Sequence, residues 1–168
     1  VSNVRPSASS QIYDVHGNLI TTVHSTENRL PVPLKDVPKD LQNAFVATED
    51  SRFYTHHGID PIGILRAVWV NIVHSGVSEG GSTITQQLAR NAFLSQDRTL
   101  KRKISEALLA LKIEQHYTKD EILEMYMNQI YFGQGAYGVQ SASRVYFGKD
   151  ASELTLAQAA LIAGLPQS

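Results

Sequence analysis

Residues 47–58 read Ala-Thr-Glu-Asp-Ser-Arg-Phe-Tyr-Thr-His-His-Gly, and the rest of the chain is best understood around them. Glu49 and Asp50 are adjacent acids that follow an apolar segment with helical spacing and precede a polar loop containing Arg52, Phe53 and His56. Desolvation and neighbouring charges in such a place can separate the proton affinities of two carboxyl groups. Acid and base sites are built in this way. The stretch therefore predicts a catalytic site, and the alternative is a solvated helix end.

The composition limits the classes of protein to which the chain can belong. Its 168 residues suffice for one domain with a buried core. The formal charge of -1 argues against a dedicated nucleic-acid binder, although residues 98–103 form a local basic patch. The absence of cysteine excludes disulfides, thiolate metal sites and a cysteine nucleophile. No stretch approaches the roughly 20 apolar residues that a membrane span needs.

Periodicity along the chain predicts a mainly α fold with a short N-terminal β-hairpin. Residues 1–10 are polar and aperiodic, which indicates a linker or mobile arm, and residues 11–168 form the predicted domain. Alternation over residues 11–24 indicates two short strands and a turn. Helices are predicted at residues 41–49, 60–73, 82–93, 99–117, 121–130, 136–147 and 155–164, with capping boxes at residues 118–121 and 155–158. The sequences at both ends lead us to expect that the domain is cut from a longer chain.

The second predicted helix, residues 60–73, is apolar round most of its circumference. Such a helix is usually part of the core. A sharper hypothesis is a surface helix that enters the bilayer interface with Trp69 at headgroup depth. The residues between this helix and the next, 75–81, are rich in glycine and serine and are predicted to be mobile.

The third predicted helix carries a row of polar side chains. Thr83, Gln87, Arg90 and Asn91 follow one another at spacings of four, three and one, so they share one face. Their donors suit sugar hydroxyls or phosphate oxygens. The alternative is a solvated polar face.

The fourth predicted helix, residues 99–117, carries an apolar stripe and an acid on opposite sides. The stripe consists of Leu100, Ile104, Leu108 and Leu111. Glu106 points nearly opposite, on the side of Arg102 and Lys103, which gives the acid a cationic setting. This setting favours a charged, orienting role for Glu106 over that of a proton donor. The alternative is an ordinary surface ion pair.

Five ordered motifs together resemble those of the family 51 peptidoglycan glycosyltransferases, the transglycosylase domain of class A penicillin-binding proteins and of monofunctional transglycosylases. They cover most of the chain. The motifs are Glu49-Asp50-x-x-Phe53-x-x-His56-x-Gly58, Gly80-x-Ser82-Thr83-Ile84-Thr85-Gln86-Gln87-x-x-Arg90, Arg102-Lys103-x-x-Glu106, Lys119-x-x-Ile122-Leu123-Glu124-x-Tyr126-x-Asn128 and Tyr146-Phe147-Gly148-Lys149. Two positions depart from the usual pattern, Arg90 where lysine is frequent and Met127 where leucine is usual.

The resemblance implies a lysozyme-like helical domain with a small flexible jaw, formed in part by the segment between the first two motifs. It implies that the chain polymerises lipid II into β-1,4-linked glycan with inversion. Glu49 would be the general base, and Glu106 would orient nearby cations or the donor diphosphate. The residues implied in substrate binding are Asp50, Phe53, His56, Ser82, Thr83, Gln87, Arg90, Asn91, Arg98, Arg102 and Lys103.

The resemblance also implies the partners and the location of the protein. The expected partners are lipid II, the growing glycan strand and the cytoplasmic membrane interface, with a transpeptidase domain in the same full-length chain. The expected location is the outer face of the cytoplasmic membrane, with an anchor upstream of Val1. No metal site built by the protein is expected, because the chain lacks the paired spacings that such sites use. A Mg or Mn ion on the substrate diphosphate is the expected form of any metal involvement.

Two other functions remain open from the sequence. A lysozyme-like glycoside hydrolase would use the same class of fold and a catalytic glutamate but would deliver water to a polymer. Such an enzyme needs no clamp for a diphosphate, so Arg102 and Lys103 favour transfer from a phosphorylated donor. A non-catalytic helical module would bind anionic lipid or nucleic acid through residues 98–103, and Glu49 would then be dispensable.

Overall fold

The computed structural model describes residues 10–13, 19–23, 28–73, 80–93 and 99–167. Within these residues the fold is mainly α. The helices are α1 (Lys39–Glu49), α2 (Pro61–Val73), α3 (Ile84–Phe93), α4 (Leu100–His116), α5 (Lys119–Gln129), α6 (Val139–Phe147) and α7 (Leu156–Gly164). The strands are β1 (Ser10–Tyr13), β2 (Leu19–Val23), β3 (Asn28–Arg29) and β4 (Ala136–Tyr137), of which β1 pairs antiparallel with β2. Single 3-10 turns lie at Leu34–Asp36, Ala151–Glu153 and Leu165–Gln167.

The helix predicted at residues 136–147 begins three residues later than expected. Ala136 and Tyr137 form β4, which pairs in parallel with β3. Gly138 then takes a φ of 84°, and a Cβ at this position would lie 2.8 Å from the carbonyl oxygen of Asn128. A right-handed helix needs a φ of about -63°, so the helix cannot continue back through residue 138, and glycine takes the observed conformation without strain. The mobile segment predicted at residues 75–81 lies mostly outside the described residues.

The core is assembled by α1, α3, α5, α6 and α7. Helix α1 packs against α7, and α3 packs against both α4 and α5. Phe45 of α1 makes edge-to-face contacts with Tyr126 of α5 and with Phe132, at ring-centroid distances of 6.1 and 6.0 Å. These contacts hold the end of α1 beside α5, which brings Tyr126 close to the acids that follow Phe45 in the sequence.

The fourth motif ties an extended segment to α5. The backbone N–H of Val32 donates to Asn128 Oδ1 at 2.8 Å, and Asn128 Nδ2 donates back to the carbonyl of Val32 at 2.8 Å. The N–H of Leu34 donates to Glu124 Oε2 at 2.7 Å. Two polar residues of the motif therefore satisfy backbone groups of residues 32–34, which is a structural role.

Helix α4 is turned so that its apolar stripe faces outward. An apolar stripe normally marks the buried face of a helix. Here Leu100 is 78% exposed and Leu108 is 58% exposed, whereas Glu106 is 0% exposed and lies on the same buried face as Ala110 and Ile113. The alternative that Glu106 forms an ordinary ion pair on the surface is therefore wrong.

Helix α2 is also largely exposed. Of its thirteen residues only Gly63 and Ala67 are buried, and Leu65, Trp69 and Ile72 are each about 70% exposed. The expectation of a core helix is thus contradicted. In the described part of the chain, every helix falls short of the length and hydrophobicity that a transmembrane span requires.

Candidate active site

Two helix ends meet at the adjacent acids. Glu49 is the last residue of α1, and the N–H of Asp50 closes that helix by donating to the carbonyl of Val46 at 3.0 Å. Negative charge is unfavourable at the C-terminal end of a helix dipole and favourable at the N-terminal end. The N-terminus of α3 faces Asp50, whose Oδ2 accepts the N–H of Ile84 at 3.0 Å. The start of α3 therefore stabilises the carboxylate that the end of α1 disfavours.

Glu49 is held by a side chain from the first turn of α3. Gln87 Nε2 donates to Glu49 Oε2 at 2.8 Å. The other end of the same amide, Gln87 Oε1, accepts the Tyr126 hydroxyl at 3.3 Å. Three helices, α1, α3 and α5, thus contribute one residue each to a chain of hydrogen bonds that ends at the half-buried carboxylate of Glu49.

Tyr126 is suited to donate in this chain. Burial raises the pKa of its hydroxyl, and the nearby charge of Glu49 raises it further. A phenol with a raised pKa keeps its proton at neutral pH. The hydroxyl is therefore available as a donor to Gln87.

Asp50 belongs to a second, buried group of polar side chains. His56 Nε2 lies 2.8 Å from Asp50 Oδ2, and His56 Nδ1 lies 3.9 Å from Glu114 Oε1. The same Glu114 oxygen accepts the Thr85 hydroxyl at 2.6 Å and Lys119 Nζ at 2.7 Å. The imidazole is therefore placed between two carboxylates, and this group holds the loop after α1 against α3, α4 and α5.

Glu106 forms the third group, with two cations. Lys103 Nζ lies 2.6 Å from Glu106 Oε1, and Arg102 Nη1 lies 3.5 Å from Glu106 Oε2. Lys103 Nζ also donates to Ser82 Oγ at 2.7 Å. The contacts fit the predicted orienting role, because a buried carboxylate fixes where an ammonium group can point.

A small cleft is lined by residues of the first two groups, Glu49 and Asp50, and by Ser82. Lys103 does not line this cleft, but its Nζ donates to Ser82 Oγ at the wall. The wall of the cleft is formed by Glu49, Asp50, Ser51, Asp60, Gly63, Arg66, Gly80, Gly81, Ser82 and Thr83. A more open groove near residues 34–42 is lined by none of the predicted site residues.

Two predicted substrate-binding residues, Phe53 and Thr83, are buried and make contacts within the protein. Phe53 is 0% exposed, with Lys119 Nζ 4.6 Å from its ring centroid. Thr83 is buried and uses its hydroxyl to donate to the carbonyl of Gly58 at 2.7 Å and to accept the N–H of Gln86 at 3.1 Å. For Phe53 the structure therefore indicates support of the site in place of direct binding, whereas Thr83 supports the site and also forms part of the wall of the cleft.

The remaining predicted residues differ in exposure. Arg90 is half-buried and its charge acts on the Tyr126 hydroxyl, whereas Asn91 is exposed. His56 is buried like Phe53 and holds Asp50, so it too supports the site. Arg98 lies outside the described residues.

Four residues of these networks received no role from the sequence: Thr85, Glu114, Lys119 and Tyr126. A signal for two of them is present. Glu114 follows Glu106 by eight residues, about two helical turns, on the face of α4 that also carries Ala110. Tyr126 falls in the buried apolar row of α5, where a hydroxyl needs a partner.

A protein-built metal site is not indicated in the residues described. No group of three or more histidine, aspartate or glutamate side chains among them is arranged to hold a metal ion.

Comparisons with known proteins agree on one family. A family model described as Transglycosylase matches residues 16–168. The chain is 54% identical over its whole length to penicillin-binding protein 1A of Escherichia coli, of which it covers 20%. It is 55% identical over 94% of its length to penicillin-binding protein 1A of Haemophilus influenzae and 49% identical over 96% to penicillin-binding protein 1F of Bacillus subtilis. The chain spans about a fifth of the length of these relatives.

A solved structure is also similar over nearly all of the chain. The crystal structure of penicillin-binding protein 1A from Haemophilus influenzae covers 98% of this chain and 15% of its own, with 29% identity and a TM-score of 0.46. This superposition is too loose to assign the fold, so the lysozyme-like architecture and the jaw remain predictions.

Proposed function

Because the chain belongs to the transglycosylase family, we propose that it is a peptidoglycan glycosyltransferase that polymerises lipid II into β-1,4-linked glycan. The donor is a growing strand on a polyprenyl diphosphate, and the acceptor is lipid II. The 4-hydroxyl of the acceptor GlcNAc attacks C1 of the donor MurNAc. The bond from C1 to the diphosphate breaks, and the α-linked donor becomes a β-linked product.

In this proposal Glu49 is the general base that takes the proton of the attacking hydroxyl. A positioned base typically contributes about 10² to 10⁴ in rate. The single observation that carries the assignment is the placement of Glu49 on the cleft, with Gln87 Nε2 as its donor at 2.8 Å. That hydrogen bond fixes the carboxylate in one orientation, which a base needs in order to meet the hydroxyl.

The departing diphosphate needs positive charge more than it needs a strong acid. Lys103 and Arg102 supply that charge, and Glu106 orients them through contacts at 2.6 and 3.5 Å. Ser82, which Lys103 contacts, lies on the wall of the cleft that contains Glu49. A Mg or Mn ion bound by the diphosphate oxygens is part of the proposal. Full polymerisation activity in the presence of a metal chelator would contradict this part of it.

The exposed apolar face of α2 supports a position at the membrane interface. Leu65, Trp69 and Ile72 lie one turn apart and are each about 70% exposed. Apolar residues in a row on a surface helix bind the region between lipid headgroups and acyl chains. We place the domain on the outer face of the cytoplasmic membrane, where it reaches the lipid-linked donor. We further propose that a transpeptidase domain of the full-length chain cross-links the glycan.

The first experiment compares glycan formation from purified lipid II by the wild-type domain and by Glu49→Gln, with the folding of both checked by circular dichroism. The wild type is expected to make polymer and the folded variant to make at least about 100-fold less. His57→Gln, which changes an exposed side chain of the neighbouring loop, is the matched control and is expected to retain activity.

The products also separate the proposal from hydrolysis. Growth of polymer from lipid II supports transfer, whereas release of fragments from finished glycan would support a lysozyme-like hydrolase. Full activity of Glu49→Gln would exclude Glu49 as the base.

A further inference from the structure

We infer that Tyr126 is a positioning residue for the reaction, because its hydroxyl sets the orientation of the Gln87 amide and thereby the hydrogen bond that Gln87 donates to Glu49. The inference rests on the proposed function, in which Glu49 is the base. Tyr126 lies on α5, 77 positions after Glu49 in the sequence, and hydrogen bonds link the hydroxyl to Glu49 through Gln87.

The Gln87 amide has two different ends, and each has its own hydrogen-bond partner. Glutamine carries a donor at Nε2 and an acceptor at Oε1, and rotation by 180° about its last bond exchanges them with little change in shape. An ionised carboxylate can only accept. The orientation that serves Glu49 therefore has Nε2 toward the carboxylate, where the distance is 2.8 Å.

The Tyr126 hydroxyl selects that orientation of the Gln87 amide. Gln87 Oε1 lies 3.3 Å from the Tyr126 hydroxyl, which donates to it. A reversed amide would lose the donor to Glu49 and would place the Glu49 carboxylate against Oε1, two acceptors in contact. The hydroxyl stabilises the productive orientation at the other end of the amide, because a buried carbonyl oxygen without a donor is unfavourable.

The Tyr126 hydroxyl is held in place by the packing of its ring. Tyr126 is 1% exposed, and its ring packs edge-to-face against Phe45 of α1 at 6.1 Å. A ring held in a close-packed core cannot move its hydroxyl away from Gln87 without a cost in packing. The same helix that ends at Glu49 therefore also fixes the group that orients the donor to Glu49.

The test removes only the hydroxyl. Tyr126→Phe keeps the ring and its packing, and we expect kcat to fall about tenfold with little change in KM. We also expect the acid limb of the profile of kcat against pH to move to higher pH. A carboxylate that loses a donor holds its proton more tightly.

Tyr146→Phe is the matched control. The Tyr146 hydroxyl donates to the carbonyl of Phe132 at 2.6 Å, so this variant also loses a partly buried hydrogen bond of a tyrosine. We expect its stability to fall while kcat and the acid limb stay at the wild-type values. An acid limb that moves equally in both variants would mean that loss of a tyrosine hydroxyl acts only through stability, and the proposal would be wrong.

A double-mutant cycle tests whether Tyr126 acts through Gln87. In the Gln87→Leu background, Tyr126→Phe is expected to produce no further loss of kcat, because the amide it orients is gone. An undiminished tenfold loss in that background would overturn the proposal. So would Tyr126→Phe with wild-type kcat and a wild-type acid limb.

A second substitution keeps the proposal testable if Tyr126→Phe fails to fold. 3,5-Difluorotyrosine at position 126 retains the ring and the hydroxyl, and its more acidic proton is a stronger donor. The acid limb should then move to lower pH, and an unchanged limb would count against the proposal.

The outcomes also separate this inference from the proposed function. An inactive wild type would defeat the function itself. An active wild type, an inactive Glu49→Gln and an unaffected Tyr126→Phe would defeat only the role of Tyr126.

Discussion

At the scale of single residues, Glu49 and Glu106 are the same side chain in two different surroundings. Glu49 is half-buried at a helix end and accepts a neutral amide donor, whereas Glu106 is fully buried and contacts Lys103 and Arg102. A carboxylate paired with two cations is stabilised in its charged form and is a poor base. The two cations therefore support an orienting role for Glu106, and the place of Glu49 on the wall of the cleft supports its role as proton acceptor.

Glu106→Gln removes the charge and keeps the shape. We expect the free energy of unfolding to fall by about 2 kcal/mol, because Lys103 and Arg102 lose a buried partner. The loss is no larger because the Lys103 side chain is 42% exposed and water screens its charge. We also expect kcat to fall at least about 100-fold, because the cations are no longer held for the leaving group. Denaturant unfolding and lipid II polymerisation measure the two effects.

The control for this prediction is Glu121→Gln. Glu121 is an exposed acid in the capping box of α5, where glutamine can make the same hydrogen bonds. It should leave polymerisation unchanged. A Glu106→Gln variant with wild-type activity would show that the charge of Glu106 is not needed.

At the scale of elements, the site depends on how the loop between α1 and α2 packs against α4. Gly58 in this loop has a φ of +88°, and a Cβ there would lie 2.9 Å from the backbone carbonyl of Ala110. The carbonyl of Gly58 also accepts the Thr83 hydroxyl at 2.7 Å. The close approach of loop and helix holds His56 and Asp50 at the start of α3.

Gly58→Ala should therefore lower the free energy of unfolding by about 3 kcal/mol. About half of this comes from a left-handed conformation for alanine and the rest from the contact with the backbone of α4. Gly148→Ala is the matched control, since Gly148 has a φ of +68° but nothing within 4 Å of an added Cβ. It should cost only about 1.5 kcal/mol, which is the contribution of the left-handed conformation, and equal losses in the two variants would contradict the packing argument.

At the scale of the whole molecule, two helices present apolar side chains to solvent. Helix α2 exposes Leu65, Trp69 and Ile72. Helix α4 adds Leu100, Ile104 and Leu108, which are 78%, 55% and 58% exposed. Apolar surface in rows of this kind marks an interaction site. A lipid surface suits the proposed function because the donor and acceptor are both anchored in a bilayer.

Trp69 allows this surface to be tested directly, because it is the only tryptophan in the chain. Vesicles of phosphatidylglycerol and phosphatidylethanolamine should shift its fluorescence to shorter wavelength, since the indole leaves water for the headgroup region. Ile72→Asp should weaken vesicle binding about tenfold, because a charge enters the apolar row. Leu161→Asp changes a residue of α7 that is 63% exposed and should have no effect. Unshifted fluorescence would place α2 away from the membrane.

The sequence by itself determined the helices and the N-terminal pair of strands. The capping boxes at Thr118 and Thr155 are confirmed, and the predicted helices begin and end within two residues of the observed ones except at the start of α6. These features are local, because a cap or a helical period depends on residues within four or five positions of one another. The family was likewise indicated by ordered motifs, which the family match supports.

Only the tertiary structure decided which faces turn inward and which polar groups meet. A helical period shows that Leu100, Ile104 and Leu108 share a face, but it does not show that this face points to solvent while Glu106 is buried. The hydrogen bond from Gln87 to Glu49 joins residues 38 positions apart, and that from Tyr126 to Gln87 joins residues 39 apart. Contacts at such separations depend on how helices pack, and packing is set by the shape of the whole core, which short-range patterns do not encode.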